Sequence, residues 1–87
     1  MKKALAGTLE SSDCCVTLTE KNLGSGLSLT VSGTERFMSA ITETVGDVAG
    51  SFGISDVDIF VQDRGALDVV LRSRLEAAIL RYETDEA

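Results

Sequence analysis

The hexapeptide Val57-Asp58-Ile59-Phe60-Val61-Gln62 decides how this chain can fold. Val57, Ile59 and Val61 alternate with Asp58, Phe60 and Gln62, the period of two that gives a strand one apolar face. Phe60 stands in the otherwise polar row, which predicts that the second face is partly covered. The segments on either side follow a different period. Upstream, Met38, Ile41, Val45, Val48, Ala49 and Phe52 recur at the spacing of one helical face. Downstream, Ala66, Leu67, Val70, Leu71, Leu75, Ala78, Ile79 and Tyr82 do the same, with Arg72, Arg74 and Arg81 left for the polar faces.

The boundaries of these helices carry their own signals. Ser32-Gly33-Thr34-Glu35 has the S-x-x-E form of a capping box, in which serine and glutamate satisfy each other's backbone N–H. Gly46 and Gly50 weaken the first helix by roughly 1 kcal/mol each relative to alanine, and Gly53 is a C-terminal stop. Asp63 can cap the second helix. The segment Asp63-Arg64-Gly65-Ala66-Leu67-Asp68 is fully accounted for as a strand-to-helix connection.

A strand between two amphipathic helices needs partner strands. Two lie upstream, Cys15-Val16-Thr17-Leu18-Thr19 and Leu27-Ser28-Leu29-Thr30-Val31, joined by the glycine-rich turn Lys21-Asn22-Leu23-Gly24-Ser25-Gly26. Antiparallel pairing of these two runs is expected. The predicted order is β-β-α-β-α, with a further short strand near residues 4–9. The fold class is α+β: a small antiparallel or mixed sheet with two amphipathic helices packed on one face. The 87 residues form a single domain, 1–87, with a frayed tail at 83–87.

Composition narrows the function. The chain is 44% hydrophobic and 25% charged, as expected for a soluble globular domain. Fourteen acidic residues against eight basic ones give a net charge of −6, which disfavours nucleic acid and suits docking to basic protein surfaces. No apolar run approaches membrane-spanning length. The opening Met1-Lys2-Lys3-Ala4-Leu5-Ala6-Gly7 imitates a signal peptide only briefly before Glu10 and Asp13 interrupt it, so a cytoplasmic location is expected.

Histidine is absent, so Ser–His and Cys–His nucleophile pairs are excluded. Two adjacent cysteines cannot build a disulfide framework or a four-ligand zinc site. Cys14 and Cys15 instead read as one inward and one outward residue at the start of a strand. The sequence predicts no catalytic residues and no metal site. The polar stretch Gly7-Thr8-Leu9-Glu10-Ser11-Ser12-Asp13 reads as a turn before that strand, with two adjacent serines.

The segments "LAGTLESSD" (residues 5–13) and "VQDRGALDVVLRSRLEAAILR" (residues 61–81), with the strands and helix between them, resemble the citrate lyase acyl carrier protein, the gamma subunit of that complex. "GTLESSD" followed about fifty residues later by Asp63-Arg64-Gly65-Ala66-Leu67-Asp68 is the combination that carries the resemblance. The D-S-L motif of ordinary four-helix acyl carrier proteins is missing. The resemblance implies an acyl carrier domain without activity of its own. Its serine would bear 2'-(5''-phosphoribosyl)-3'-dephospho-coenzyme A through a phosphodiester. Matching the family's "TLES" to Thr8-Leu9-Glu10-Ser11 assigns attachment to Ser11, with Ser12 as the fallback.

The implied work is to carry acetyl and citryl thioesters while citrate is cleaved to acetate and oxaloacetate. The implied partners are the alpha (acyl transferase) and beta (citryl lyase) subunits and a prosthetic-group transferase. A malonate decarboxylase carrier uses the same group, but its "G-S-G-D" context differs from Glu10-Ser11-Ser12-Asp13. The remaining alternative is an unmodified acidic interaction module.

Overall fold

The computed structural model describes residues 1–33 and 37–84. Its elements are β1 (Lys3–Gly7), β2 (Cys14–Glu20), β3 (Ser28–Ser32), α1 (Met38–Phe52), β4 (Val57–Asp63) and α2 (Asp68–Thr84). This is the predicted α+β order with the extra N-terminal strand. The four strands form one mixed sheet in the order β1-β2-β4-β3.

The expected antiparallel pairing of the second and third strands does not occur. β4 lies between them, antiparallel to β2 and parallel to β3, with Val16 and Val31 both opposite Val61. The physical reason lies in length and burial. The connection over residues 21–27 can cross the roughly 10 Å that separates strands one place removed from each other. β4 then takes an interior position beside β2, with Val57, Ile59 and Val61 at 1% exposure or less. The antiparallel hairpin is instead β1–β2, running from Lys3 opposite Thr19 to Gly7 opposite Cys15.

Both helices cover one face. Val16, Leu18, Ile59 and Val61 of the sheet meet Ile41, Val45, Val48 and Ala49 of α1 and Leu71, Leu75, Ala78 and Ile79 of α2 in a single core. Fully burying a leucine or isoleucine contributes about 1.5–3 kcal/mol, so these two stripes supply much of the drive to fold. Cys14 is buried in this core while Cys15 faces the other way and is half-buried, as strand alternation requires. Phe60 is half-buried on the open face, in register with Thr17 and Thr30 of its neighbours.

The helix starts differ in detail from the apolar spacing. α1 begins at Met38, with Phe37 in the N-cap position and no side-chain cap. The predicted capping box needs Glu35, which lies outside the described residues. Ala66 and Leu67 precede α2 rather than belonging to it. The Asp63 carboxylate accepts the Gly65 and Ala66 N–H groups at 3.2 and 3.1 Å, so it closes a turn ahead of the helix. The Leu67 carbonyl then accepts from Val70 and Leu71 and starts the helical ladder. Gly53 ends α1 at φ +65°, the left-handed stop for which glycine is suited. Of the tail, Glu83 and Thr84 are helical, and residues 85–87 lie outside the described residues.

The register brings three connections to one end of the sheet. β2 begins at Cys14 opposite Asp63, the last residue of β4, and β3 ends at Ser32 opposite Gln62. The β1–β2 turn and the chain entering α2 therefore meet at this end.

Candidate modification site

The turn between β1 and β2 is built from its own backbone first. Gly7 has φ +102°, and a Cβ there would lie 1.9 Å from the Cys14 carbonyl oxygen. Only glycine lets the two strands close so tightly at this point. The Thr8 N–H donates to the Cys14 carbonyl at 3.2 Å, one step beyond the last strand pair. The Asp13 N–H then donates to the Glu10 carbonyl at 3.2 Å, closing a turn over Glu10-Ser11-Ser12-Asp13. Ser12 takes φ +68° at the third position, the pattern of a type II turn, which leaves Ser11 at the second, corner position.

A second set of bonds ties this turn to the chain entering α2. The Ser12 N–H donates to the Arg64 carbonyl at 2.7 Å, and the Arg64 N–H donates to the Asp13 carbonyl at 2.9 Å. Arg64 is thus bonded to both Ser12 and Asp13, which carries the contact between the two chain segments past the last β2–β4 pair, Cys14 and Asp63. Both serines are exposed. Among the described residues neither hydroxyl has a hydrogen-bond partner.

The third tie is made by side chains. Arg74 of α2 donates Nε–H to Asp13 Oδ1 at 2.9 Å and Nη2–H to Oδ2 at 3.0 Å, a two-pronged ion pair. The Thr8 hydroxyl donates to Asp13 Oδ2 at 2.6 Å, and the Cys14 N–H to Oδ1 at 2.7 Å. Thr8 Oγ1 in turn accepts the Glu10 N–H at 3.2 Å. The Arg74 hydrogen bonds, then the Thr8 hydroxyl and the Cys14 N–H, hold the Asp13 carboxyl far below the ordinary carboxylate range. An acid so fully engaged is a poor proton acceptor, so it cannot serve Ser11 as a base.

Beside the turn, the start of α1 and the chain entering α2 enclose an open apolar groove of about 320 Å³, lined by Phe37, Ala40, Ile41, Ala66, Leu67 and Leu71. Among the described residues no group of three or more histidine, cysteine or acidic side chains is placed to hold a metal. Cys14 is inert for a different reason: burial pushes its thiol up to about 11.

The sequence locates Ser11 and Ser12 in a turn, and the structure puts them in one. Among the described residues it brings no hydrogen-bonding base to either hydroxyl. What sequence reading missed is the pairing of Asp13 with Arg74, which are 61 residues apart. Arg74 reads from its helix as one more polar-face residue, and no spacing rule connects it to the turn.

Comparison with known proteins places this geometry in a family. A model described as an acyl carrier protein family, malonate decarboxylase delta subunit (MdcD), matches residues 1–82. The citrate lyase acyl carrier protein of Weissella paramesenteroides is 42% identical over 80 residues, covering 92% of this chain and 82% of that protein. The same protein of Haemophilus ducreyi (strain 35000HP / ATCC 700724) is 42% identical over 86 residues, covering 99% and 88%. The chain belongs to the citrate lyase acyl carrier protein family.

The carrier is therefore a vehicle rather than a catalyst on its own, in keeping with the family. Its fold is shared with a chain of a Pseudomonas malonate decarboxylase hetero-tetramer crystallised in complex with malonate. That chain has a TM-score of 0.75 at 23% identity, with 93% of the carrier and 84% of the other chain covered. No helix among the carrier's described residues is long and apolar enough to cross a membrane.

Proposed function

We propose that this protein is the acyl carrier subunit of a citrate lyase complex, with Ser11 bearing a phosphoribosyl-dephospho-coenzyme A arm. The observation that carries the reading is the position of Ser11 at the exposed corner of a turn whose backbone is tied down on both sides. An unpartnered primary hydroxyl on a fixed turn is the group a modifying enzyme needs in order to form a phosphodiester. The surface around it also leaves room for a bulky substituent. Ser12 fits less well, because its N–H is committed to Arg64 and its backbone is held in the left-handed region.

The hydroxyl has no base among the described residues, so the transferase must supply one to take the Ser11 proton. As it does so, Oγ bonds to the donor's phosphorus and the phosphoanhydride bond there breaks, its phosphate side departing. Once attached to Ser11, the arm would supply a terminal thiol for carrying acyl groups. The chain's own contribution is placement. The turn presents the attachment oxygen away from the core, and tethering raises the effective concentration of the cargo at the acyl transferase and citryl lyase subunits.

Intact-mass analysis with peptide mapping of the carrier from its native host, grown on citrate, tests this reading. The expected result is one added coenzyme-A-derived group on Ser11, lost in Ser11→Ala and kept in Ser12→Ala. An unmodified Ser11 in citrate-consuming cells sinks the assignment.

A second reading, a carrier of malonate decarboxylase type, draws support from the description of the matching family model. It predicts the same arm but different companions. Affinity purification from the native host separates the two by which catalytic subunits accompany the carrier. With 42% identity to citrate lyase carriers, the first reading is preferred.

A further inference from the structure

The geometry points to Asp13 and Arg74 as positioning residues for prosthetic-group attachment, through which α2 holds the Ser11 turn in the shape that the transferase reads. This inference rests on Ser11 being the attachment residue.

Asp13 is the residue on which the turn's bonds converge. Its N–H closes the turn on Glu10, its carbonyl accepts from Arg64, and its carboxylate takes four donors from Thr8, Cys14 and Arg74. Its side chain is 13% exposed, although it sits at a surface turn. Arg74 is the member that comes from elsewhere in the fold. A guanidinium presenting two parallel N–H groups fixes both carboxylate oxygens and hence the plane of the carboxyl. That plane in turn fixes where Thr8 and the Cys14 N–H can bond.

The approach of Arg74 depends on the turn itself. Its Cδ lies 3.2 Å from the point that a Cβ on Gly7 would occupy, so Gly7 leaves the space through which the side chain passes. Helix, hairpin and turn are thus locked at one carboxylate. Neither Asp13 nor Arg74 bonds to either serine hydroxyl, so their influence passes through the backbone. Without the pair, the Ser12–Arg64 bridge remains, but among the described residues no other side chain of α2 hydrogen-bonds to the turn.

The contrast within α2 is informative. Arg72, two residues away, pairs with Asp68 and Asp47, whose side chains are about 60% exposed, on ground remote in sequence from the turn. It provides a control that removes the same charge from the same helix.

The experiment follows attachment to purified carrier by intact mass over time. It uses the prosthetic-group transferase and its activated dephospho-coenzyme A donor, on wild type, Asp13→Asn, Arg74→Ala, Arg74→Lys and Arg72→Ala. Amide hydrogen exchange is recorded on the same unmodified proteins. Asp13→Asn and Arg74→Ala are expected to lower kcat/KM for attachment at least tenfold and to speed exchange at Ser12 and Arg64. Exchange at Leu18 and Ile59 in the core should speed by no more than the fall in global stability, and by less than at Ser12 and Arg64. Arg74→Lys keeps the charge but not the fork and should fall between; Arg72→Ala should match wild type.

Attachment to Asp13→Asn and Arg74→Ala at the wild-type rate overturns the inference while leaving the carrier reading intact. A slow rate accompanied by equal loss of core protection also overturns it, because the pair would then be structural. Should Arg74→Ala fail to fold, folded Arg74→Lys decides the matter by the same two readouts. Failure of wild type to be modified at Ser11 is a different result, and defeats the carrier reading itself.

Discussion

Thr44 of α1 and Asp68 of α2 meet beside the apolar groove, where the buried Thr44 hydroxyl donates to Asp68 Oδ1. Arg72 Nε–H donates to the other carboxylate oxygen at 2.7 Å. The Thr44 hydroxyl first, and Arg72 second, hold the Asp68 carboxyl below its usual range. The two helices are thus joined by a polar contact at their groove end as well as by the core beneath.

Thr44→Val keeps the shape and removes the donor. Asp68 is exposed and can turn to water, so the loss is that of one hydrogen bond, about 0.5–1.5 kcal/mol. For a domain of this size, about 1 kcal/mol lowers Tm by roughly 4–8 °C. Thermal unfolding followed by circular dichroism should show a shift of that order, and no shift would mean the contact is energetically silent.

Acid sensitivity follows from Asp13. Its folded-state pKa lies far below the ordinary 3.8, so the unfolded chain takes up a proton first as the pH falls. The stabilisation is fully present above 3.8 and is lost as the pH descends from there toward the folded-state value. Asp13→Asn should therefore be less stable than wild type at pH 7, with the gap narrowing below pH 3.8. Urea midpoints at pH 7 and at the acid end compare the two directly, and a gap that widens on acidification would contradict the account.

The core predicts a larger effect. Leu75 is fully buried between α2 and the sheet, and truncating such a leucine costs about 2–5 kcal/mol. A domain of this length has only about 4–13 kcal/mol in total. Leu75→Ala should consequently sit close to unfolding at 37 °C, visible as a broad, early melt.

Turn geometry predicts opposite signs at two neighbouring positions. Ser12 holds φ +68°, where glycine is at ease and serine is strained, so Ser12→Gly should be neutral or stabilising by up to about 1 kcal/mol. Gly7→Ala would force a Cβ to within 1.9 Å of the Cys14 carbonyl and should destabilise well beyond that amount. Urea unfolding of the two variants gives the signs.

Cysteine labelling checks the strand facing. Cys14 is buried, with its thiol pushed up to about 11, whereas Cys15 is half-buried on the open face. Iodoacetamide at pH 8 should add one group to the native protein, at Cys15, and two in urea. Labelling of native Cys14 would show that the strand faces the other way.

Much of this architecture is legible in the residues. The period-two runs and the two helical stripes locate five of the six elements, and the short run near residues 4–9 foretells β1. The neighbour of each strand is not legible, because the alternation of Leu27 to Val31 suits pairing with β2 or with β4 equally. Only the tertiary competition for the interior position selects Val57–Asp63. The start of α1 escapes for a related reason: its apolar spacing is the same whether the helix begins at Ser32 or at Met38. At the site, the serines announce themselves within one short motif. The partner of Asp13 is invisible, since nothing in Arg72, Arg74 or Arg81 as letters says which of them reaches the turn.

The unpartnered Ser11 hydroxyl has a thermodynamic consequence. An exposed hydroxyl that makes no hydrogen bond loses none when its proton is replaced. On the proposed attachment at Ser11, maturation of the carrier is decoupled from its folding. With Ser11 as the attachment residue, as proposed, unmodified and modified copies are expected to melt at the same temperature, which calorimetry of the two forms checks.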